Sequence, residues 1–590
     1  MNSKSDNNKF SLGIVARTEI MYFVIVFIII VFGIRLFYLQ IIRHEFYKKS
    51  ALTGQLKEYQ IPANRGIIEA HDNDNVVPIV LNEKKYLLFA DPKYIKHPED
   101  VSAKVQALIG GNQKDILKKL KLDTRYSVLA KKLSSEQRTK LDALKINGIG
   151  TREEYVRTYP QGNLAAQLLG FVDDEGVGKY GLEQAINDKL SGTPGQLKAI
   201  TDVNGVPLVA NTDNVITSPE DGDRVLLTID VNMQKQLEDL LKHGLDRASS
   251  KSGSAIIMDP NTGAIKAMAN YPSYDPAAFF KVEDASLFNN NSVSSPLEVG
   301  SVMKPLTAAA AINTGSVSDN SKYYDPSFYK IGDAKVTNIE EDGGAGTRSV
   351  ADILELSLNT GATWLLMQMG GGSINQKARE TWHSYMTDHY RFSKKTGIEQ
   401  GYEEAGSVPD PNDGYGLNIT YANTSFGQGM TATPLQMGAA LSSVINGGKY
   451  YKPYLVDKVT RKNKSTTTKP EVVNANVVSP ATSGSIVRLM EGVVNKNHKL
   501  YGMQEIKNGY SIGGKTGTAE INKPGGGYYT DKFNGMFMGF VGGDKPEYVI
   551  IVRVNEPGIK GYAGSKAAAP IFTDITNVLI NNFNVKPKTN

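Results

Sequence analysis

Uncharged and mostly large apolar residues run without interruption from 20 to 34, and the apolar character resumes from 36 to 42 after Arg35. As one helix this stretch would extend about 34 Å, enough for a bilayer core of about 30 Å. A single membrane anchor is therefore expected at 20–42, with Arg35 snorkelling or meeting a partner helix. The residues that follow, Leu39-Gln40-Ile41-Ile42-Arg43-His44, are too bulky for a cleavage site, which predicts an uncleaved signal anchor behind a polar tail at 1–19. Lys4, Lys9 and Arg17 precede the span while Arg43, Lys48, Lys49 and Lys57 follow it, so positive charges leave its orientation open.

Residues 43–222 mix short apolar runs with polar helical stretches at 115–122 and 134–144. Glycines at 170, 176, 178, 181, 192 and 195 imply tight turns, and the segment reads as an α+β module with a structural task. A new unit is expected from Asp221-Gly222 onward. Residues 224–229 read as a strand, Asp230 can cap a helix over 231–248, and 254–259 with 264–268 form a hairpin around Pro260-Asn261-Thr262-Gly263. Further strands follow at 510–521, 535–541 and 548–554, with a closing helix at 565–583. Strands from both ends of a domain, separated by helices, predict one antiparallel sheet covered by helices, an α+β fold.

A chain of 590 residues has room for several domains. Its net charge of +5, spread over 66 basic and 61 acidic residues, forms no basic stripe, which argues against nucleic acid as a partner. The absence of cysteine removes thiol catalysis, Cys-ligated zinc and disulfides. The seven histidines are scattered, and the closest pair, His383 and His389, lacks the spacing of helical metal ligands. No metal site, cofactor or Ser-His-Asp arrangement is expected.

Candidate chemistry starts at Ser301 and Lys304. Three residues apart at the start of a helix, they share one face, so the amine can reach the hydroxyl and activate it. The alanines 308–311, Gly315 as a stop and Pro305 near the start predict that helix. The spacing recurs at Ser327-Phe328-Tyr329-Lys330, which follows Asp325-Pro326 in a polar, aromatic segment and reads as loop. Two more triplets follow Ser301, namely Ser357-Leu358-Asn359 and Lys515-Thr516-Gly517. Each has a rival copy. Ser318-Asp319-Asn320 lies beyond the Ser301 helix, roughly 20 Å from its start. Lys395-Thr396-Gly397 sits among charged residues and reads as a surface turn. The run from Gly509 to Thr516 also spells a phosphate-binding loop, but Gly517-Thr518-Ala519-Glu520-Ile521 opens no helix, as such a loop requires.

Ser-x-x-Lys, Ser-Asp-Asn and Lys-Thr-Gly are a known set of class A β-lactamases and penicillin-binding proteins. Its order is kept here with Ser357-Leu358-Asn359 in the middle place, although Ser318-Asp319-Asn320 has the better-known spelling. With Arg65-Gly66-Ile67-Ile68, Arg157, Tyr159-Pro160, Gly181-Leu182-Glu183, Leu227-Thr228-Ile229-Asp230, Asp259-Pro260 with Gly263, Gly427-Gln428-Gly429, Thr433-Pro434-Leu435-Gln436 and Asn446-Gly447-Gly448, the chain resembles a class B penicillin-binding protein. These are monofunctional peptidoglycan D,D-transpeptidases. The resemblance implies a cytoplasmic tail (1–19), a transmembrane anchor (20–42), a non-catalytic pedestal (43–222) and an outward-facing transpeptidase domain (223–590). Two departures stand out: Val299 replaces the usual proline, and Ala70-His71-Asp72-Asn73 replaces an Asp-Arg-Asn-Gly turn.

The implied roles are specific. Ser301 attacks the stem peptide and Lys304, kept neutral by Lys515, takes its proton. Ser357 relays a proton and Asn359 holds Lys304 and the substrate. The amides of Ser301 and Thr518 form the oxyanion hole, and Thr516, Thr518 and Lys515 bind the donor carboxylate. Gly517 is expected to be bare so that the strand can lie against substrate. Peptidoglycan stem peptides, the cytoplasmic membrane and a multi-pass glycan polymerase are the implied partners, with β-lactams as covalent inhibitors. Glu355 spells a β-lactamase glutamate motif, but it overlaps Ser357-Leu358-Asn359, whereas that glutamate belongs on a separate loop.

Overall fold

The computed structural model describes residues 14–47, 56–200, 215–338, 344–412, 414, 416–503, 509–523 and 525–589. Most of the expected tail, with Lys4 and Lys9, and the lysines at 48 and 49 lie outside the described residues. The chain forms two compact units, Met1–Ala63 with Thr193–Asp221, and Asn64–Gly192 with Gly222–Asn590.

In the first unit the apolar run forms the helix Ile14–Phe37 and continues through one π-type turn, Tyr38–Ile42. Arg17–Ile42 is long and apolar enough to cross a membrane, and none of it is covered by protein. Arg43 follows the turn, and its Nε donates to the Tyr38 hydroxyl at 2.9 Å. The unit also holds an antiparallel sheet in the order Leu56–Ile61, Gly195–Ile200, Val215–Thr217.

The second unit contains the pedestal sheet, whose strands run Lys464–Thr467, Val456–Arg461, Arg224–Asp230, Ile68–Asp72, Asn75–Ala90, Ser127–Leu133. Ile149–Thr158 also pairs with the long strand Asn75–Ala90. The break expected at Asp221-Gly222 therefore precedes a strand that pairs parallel with Ile68–Asp72 and antiparallel with Val456–Arg461, so one sheet serves both modules. The expected pedestal helices are present as Gln113–Leu120 and Ser135–Ala143, the second closed by a Ser134–Gln137 capping box. The altered Ala70-His71-Asp72-Asn73 segment makes a hairpin turn with Asn73 at φ +53°. It is fastened by the Asn73 amide donating to Asp230 Oδ2 at 3.2 Å and by Asn232 Nδ2 donating to Asp72 Oδ1 at 2.6 Å.

Three motifs far apart in sequence meet in this unit. Glu183, fully buried, accepts Arg65 Nε at 2.7 Å on one carboxylate oxygen and Arg157 Nε at 2.8 Å on the other. Asn82 Oδ1 takes a further Arg157 hydrogen bond at 2.9 Å. A charge this deep persists only because it is paired and hydrogen-bonded.

Helix α1, Val231–Arg247, starts at Asp230, which accepts the Met233 amide at 2.9 Å as a cap. Strands β1 (Ser252–Met258), β2 (Ile265–Tyr271), β3 (Ser511–Asn522), β4 (Tyr528–Gly542) and β5 (Pro546–Asn555) then form the predicted antiparallel sheet in the order β2-β1-β5-β4-β3. Four helices matter for the site: α2 (Lys304–Asn313), α3 (Asn359–Met369), α4 (Pro434–Ile445) and the closing α5 (Ala569–Asn582). Both faces of β4 over 535–542 and of most of β5 are buried. Phe572 of α5 stacks on Phe537 at 4.2 Å from one face, while Gly438 of α4 lies against Ile551 on the other. β3 is left as an edge strand beside the Gly300–Met303 turn that precedes α2.

Candidate active site

Ser301 sits on a 3-10 turn, Gly300–Met303, that leads into α2. The predicted helix is therefore wound more tightly over its first turn. Side chains three residues apart eclipse in a 3-10 turn, and Lys304 Nζ lies 2.9 Å from Ser301 Oγ. Lys304 is fully buried, whereas Ser301 is half-buried.

The other two triplets converge on the same amine. Lys304 Nζ lies 2.9 Å from Asn359 Oδ1, 3.1 Å from Ser357 Oγ and within hydrogen-bond reach of the Ser357 carbonyl. Lys515 on β3, equally buried, donates to Ser357 Oγ at 2.9 Å and to the Thr516 carbonyl at 3.0 Å. Strand alternation leaves Thr516 and Thr518 half-buried and turns Lys515 and Gly517 inward. The Thr518 hydroxyl oxygen accepts the Gly564 amide at 3.1 Å.

Gly517 is bare for a different reason than expected. A Cβ there would lie 2.7 Å from the Val299 carbonyl oxygen and 3.0 Å from Val302 Cγ1, so the space it vacates is filled by the Ser301 turn, not kept for substrate. Gly300 answers it from the other side: its φ is +62°, and a Cβ would lie 2.6 Å from the Thr518 carbonyl oxygen. The two glycines let the Ser301 turn and the edge strand lie in contact, with the backbones of Gly300 and Thr518 side by side. Val299 is fully buried at φ −90°, ψ −17°, so the turn is entered with a helical backbone although no proline stands there.

Glu298 was not singled out by sequence reasoning. It is buried, and Oε1 accepts the Gly429 amide and the Tyr528 hydroxyl, both at 3.0 Å. Burial holds its carboxyl above the usual carboxylate range despite these two bonds, and the charge of Glu520 adds to the effect. The Gly300 amide donates to Gly427 O at 3.0 Å, and Gln428 Nε2 donates to Glu520 Oε2 at 3.2 Å. Gly427-Gln428-Gly429 is thus a strap around the Ser301 turn.

The rival copies lie elsewhere. Ser327-Phe328-Tyr329-Lys330, expected as loop, enters a β-hairpin in which Phe328–Ile331 pairs with Ala334–Thr337. Asp319 of Ser318-Asp319-Asn320 binds Ser485 at 2.7 Å and Arg488 at 3.0 Å. Lys395 is exposed on an irregular loop as expected, but Thr396 is buried, its amide donating to Glu403 at 2.7 Å. Residues 511–516 of the phosphate-loop spelling are part of β3 and no helix follows. Glu355 pairs with Lys496 at 2.9 Å.

Residues 253–577 match the penicillin binding protein transpeptidase domain, and residues 60–227 match the penicillin-binding protein dimerisation domain. Stage V sporulation protein D of Bacillus subtilis is 30% identical, covering 97% of this chain and 86% of its own length. Peptidoglycan D,D-transpeptidase FtsI of Escherichia coli is 26% identical over 94% of this chain and 89% of its own. Among solved structures, penicillin binding protein 2X from Streptococcus thermophilus superposes with a TM-score of 0.72 at 22% identity, covering 90% of this chain and 81% of that one. Penicillin binding protein 3 from Mycobacterium tuberculosis, complexed with aztreonam, gives 0.67 at 24% identity over 90% and 98%. With both domains matched in order behind an apolar N-terminal helix, the chain belongs to the class B penicillin-binding proteins.

Proposed function

We propose that this chain is a peptidoglycan D,D-transpeptidase in which Ser301 is the acylated nucleophile and Lys304 its general base. The observation that carries the reading is the 2.9 Å contact between Lys304 Nζ and Ser301 Oγ, made by an amine removed from bulk water. Lys304 and Lys515 lie within hydrogen-bond reach of one oxygen, Ser357 Oγ, so protonation of either disfavours protonation of the other.

In the first step Ser301 Oγ attacks the carbonyl carbon of the penultimate D-Ala while its proton passes to neutral Lys304. Developing charge on the carbonyl oxygen is met by the backbone amides of Ser301 and Thr518. As the peptide bond breaks, the Lys304 proton reaches the departing D-Ala amine through Ser357, leaving an ester on Ser301. The amine of a second stem peptide then attacks that ester, and its proton returns along the same path as Ser301 is released and the cross-link forms. Asn359 orients Lys304 and the substrate amide, while Lys515, Thr516 and Thr518 hold the donor carboxylate and Gly517 keeps their strand against the nucleophile turn. A β-lactam follows the first step only, because its leaving group stays tethered.

The reading extends to the whole chain, divided at 1–19, 20–42, 43–222 and 223–590. Peptidoglycan lies outside the cytoplasmic membrane, so the catalytic domain faces outward from its single anchor, with the anchor and pedestal as contacts for a multi-pass glycan polymerase. Donor and acceptor stem peptides incubated with the chain should release D-Ala and give a cross-linked product, and Ser301→Ala should abolish both. A Ser301→Ala variant that still supported growth and wall cross-linking in the cell would favour a scaffold in place of an enzyme.

A further inference from the structure

Between Ser301 and Ser357 the chain makes two short antiparallel pairings, Lys322–Asp325 with Gly346–Ser349 and Phe328–Ile331 with Ala334–Thr337. None of these residues belongs to a catalytic triplet. Yet Asp325, at the end of the first strand, is fully buried and saturated with donors. Its carboxylate accepts Thr360 Oγ1 at 2.6 Å, the Ser327 amide at 2.8 Å, the Tyr323 hydroxyl at 3.2 Å and Asn338 Nδ2 at 3.2 Å. The Tyr323 hydroxyl is held far above its usual range by burial, with the charge of Asp325 adding to it, and the ring stacks on Trp364 of α3 at 4.4 Å.

Asn338 links this carboxylate to the start of α3 a second time. Its Nδ2 donates to Thr360 Oγ1 at 2.7 Å, and its Oδ1 accepts the Thr360 amide at 3.0 Å. The preceding residues on each side are joined as well, because Asn359 Nδ2 donates to the Thr337 carbonyl at 3.1 Å. A carbonyl can only accept, so this bond decides which way the Asn359 amide faces: its NH2 toward Thr337, its oxygen toward Lys304 Nζ. Residues 337 and 338 therefore hold residues 359 and 360 in register, with Asp325 locking the pair from beneath.

We infer that Asp325 is a positioning residue for the reaction. Acting through Thr360 and Asn338, it fixes the first turn of α3 so that Asn359 keeps its oxygen on Lys304 and Lys304 keeps its amine on Ser301. Asp325 touches neither substrate nor reacting atoms. The inference rests on the reading of Lys304 as the base for Ser301 and adds the device that aims it.

The test uses the full chain and compares Thr360→Val, which keeps the shape but removes the hydroxyl, with Thr360→Ser, which keeps the hydroxyl. Stopped-flow acylation by a fluorescent penicillin separates the half-saturating concentration from the limiting rate. Thr360→Val should lower the limiting rate about tenfold or more, leave half-saturation within about twofold and melt within about 3 °C of the wild type; Thr360→Ser should restore the rate. Asn338→Ala, at a partly exposed position, should give the same split and serves if Thr360→Val fails to fold. A folded Thr360→Val or Asn338→Ala protein that acylates at the wild-type rate, or a Thr360→Ser protein as slow as Thr360→Val, would overturn the inference. Failure of the underlying reading looks different: Ser301→Ala would still be acylated.

Discussion

Ser357 Oγ lies 3.1 Å from Lys304 Nζ and 2.9 Å from Lys515 Nζ, so one hydroxyl joins the two buried lysines of the site. Ser357 holds this place at φ +59°, a left-handed backbone that a residue with a Cβ adopts at a cost of roughly 1–2 kcal/mol. The strain and the hydroxyl can be separated. Ser357→Gly should be more stable than Ser357→Ala by about 1 kcal/mol, while both should lower the penicillin acylation rate by about 10²-fold or more. Calorimetry and stopped-flow kinetics on the same preparation check both halves.

The contact between Gly517 and the Ser301 turn predicts a steric effect. In Gly517→Ala the new methyl would meet the Val299 carbonyl at 2.7 Å, so the edge strand or the turn must shift. Overpacking of this kind costs about 1–3 kcal/mol, and a shift of the oxyanion-hole amides should slow acylation by about 10²-fold. Denaturant unfolding and acylation kinetics give the two numbers.

Much of the transpeptidase domain is legible in the sequence because strands such as Ser252–Met258 and Pro546–Asn555 carry apolar runs and its helices carry local start and stop signals. Residues 510–521 were expected as strand and form Ser511–Asn522, and Asp230 caps α1 as read. The triplets were separable from their copies because helix length and flanking chemistry are also local. What could not be read was long-range. Glu298 finds Tyr528, and Asp325 finds Thr360, across distant parts of the chain, and nothing beside either residue announces the partner. The same holds for Gly517, whose bare face was assigned to substrate because the Ser301 turn that fills it is far away in sequence. The hairpin at 328–337 is not legible in the sequence because its strands, Phe328–Ile331 and Ala334–Thr337, are only four residues each.

Glu298 predicts a pH dependence. Its folded-state carboxyl is raised above the usual carboxylate range by burial and by Glu520. Below the unfolded pKa both states are protonated and the group is neutral to stability. As pH rises past that value the unfolded chain releases its proton first, so the folded state loses stability until the folded pKa is passed. Glu298→Gln keeps an acceptor for Gly429 and Tyr528 and removes the titration. Its melting temperature relative to wild type should therefore climb as pH is raised from acidic to neutral. A difference independent of pH would contradict the assignment.

The Arg65–Glu183–Arg157 cluster predicts a stability effect without a catalytic one. Glu183→Ala leaves two buried guanidinium groups short of their shared carboxylate, and breaking a buried pair in this way costs about 3–5 kcal/mol. Thermal unfolding should show the loss, while the protein that remains folded acylates at the wild-type rate.

The most direct test of Ser301 as the nucleophile is peptide-level mass spectrometry after exposure to a penicillin. The account predicts one covalent adduct, carried by the peptide containing Ser301, persisting after free drug is removed and absent from Ser301→Ala. An adduct on Ser327 or Ser357, or one that survives Ser301→Ala, would contradict it.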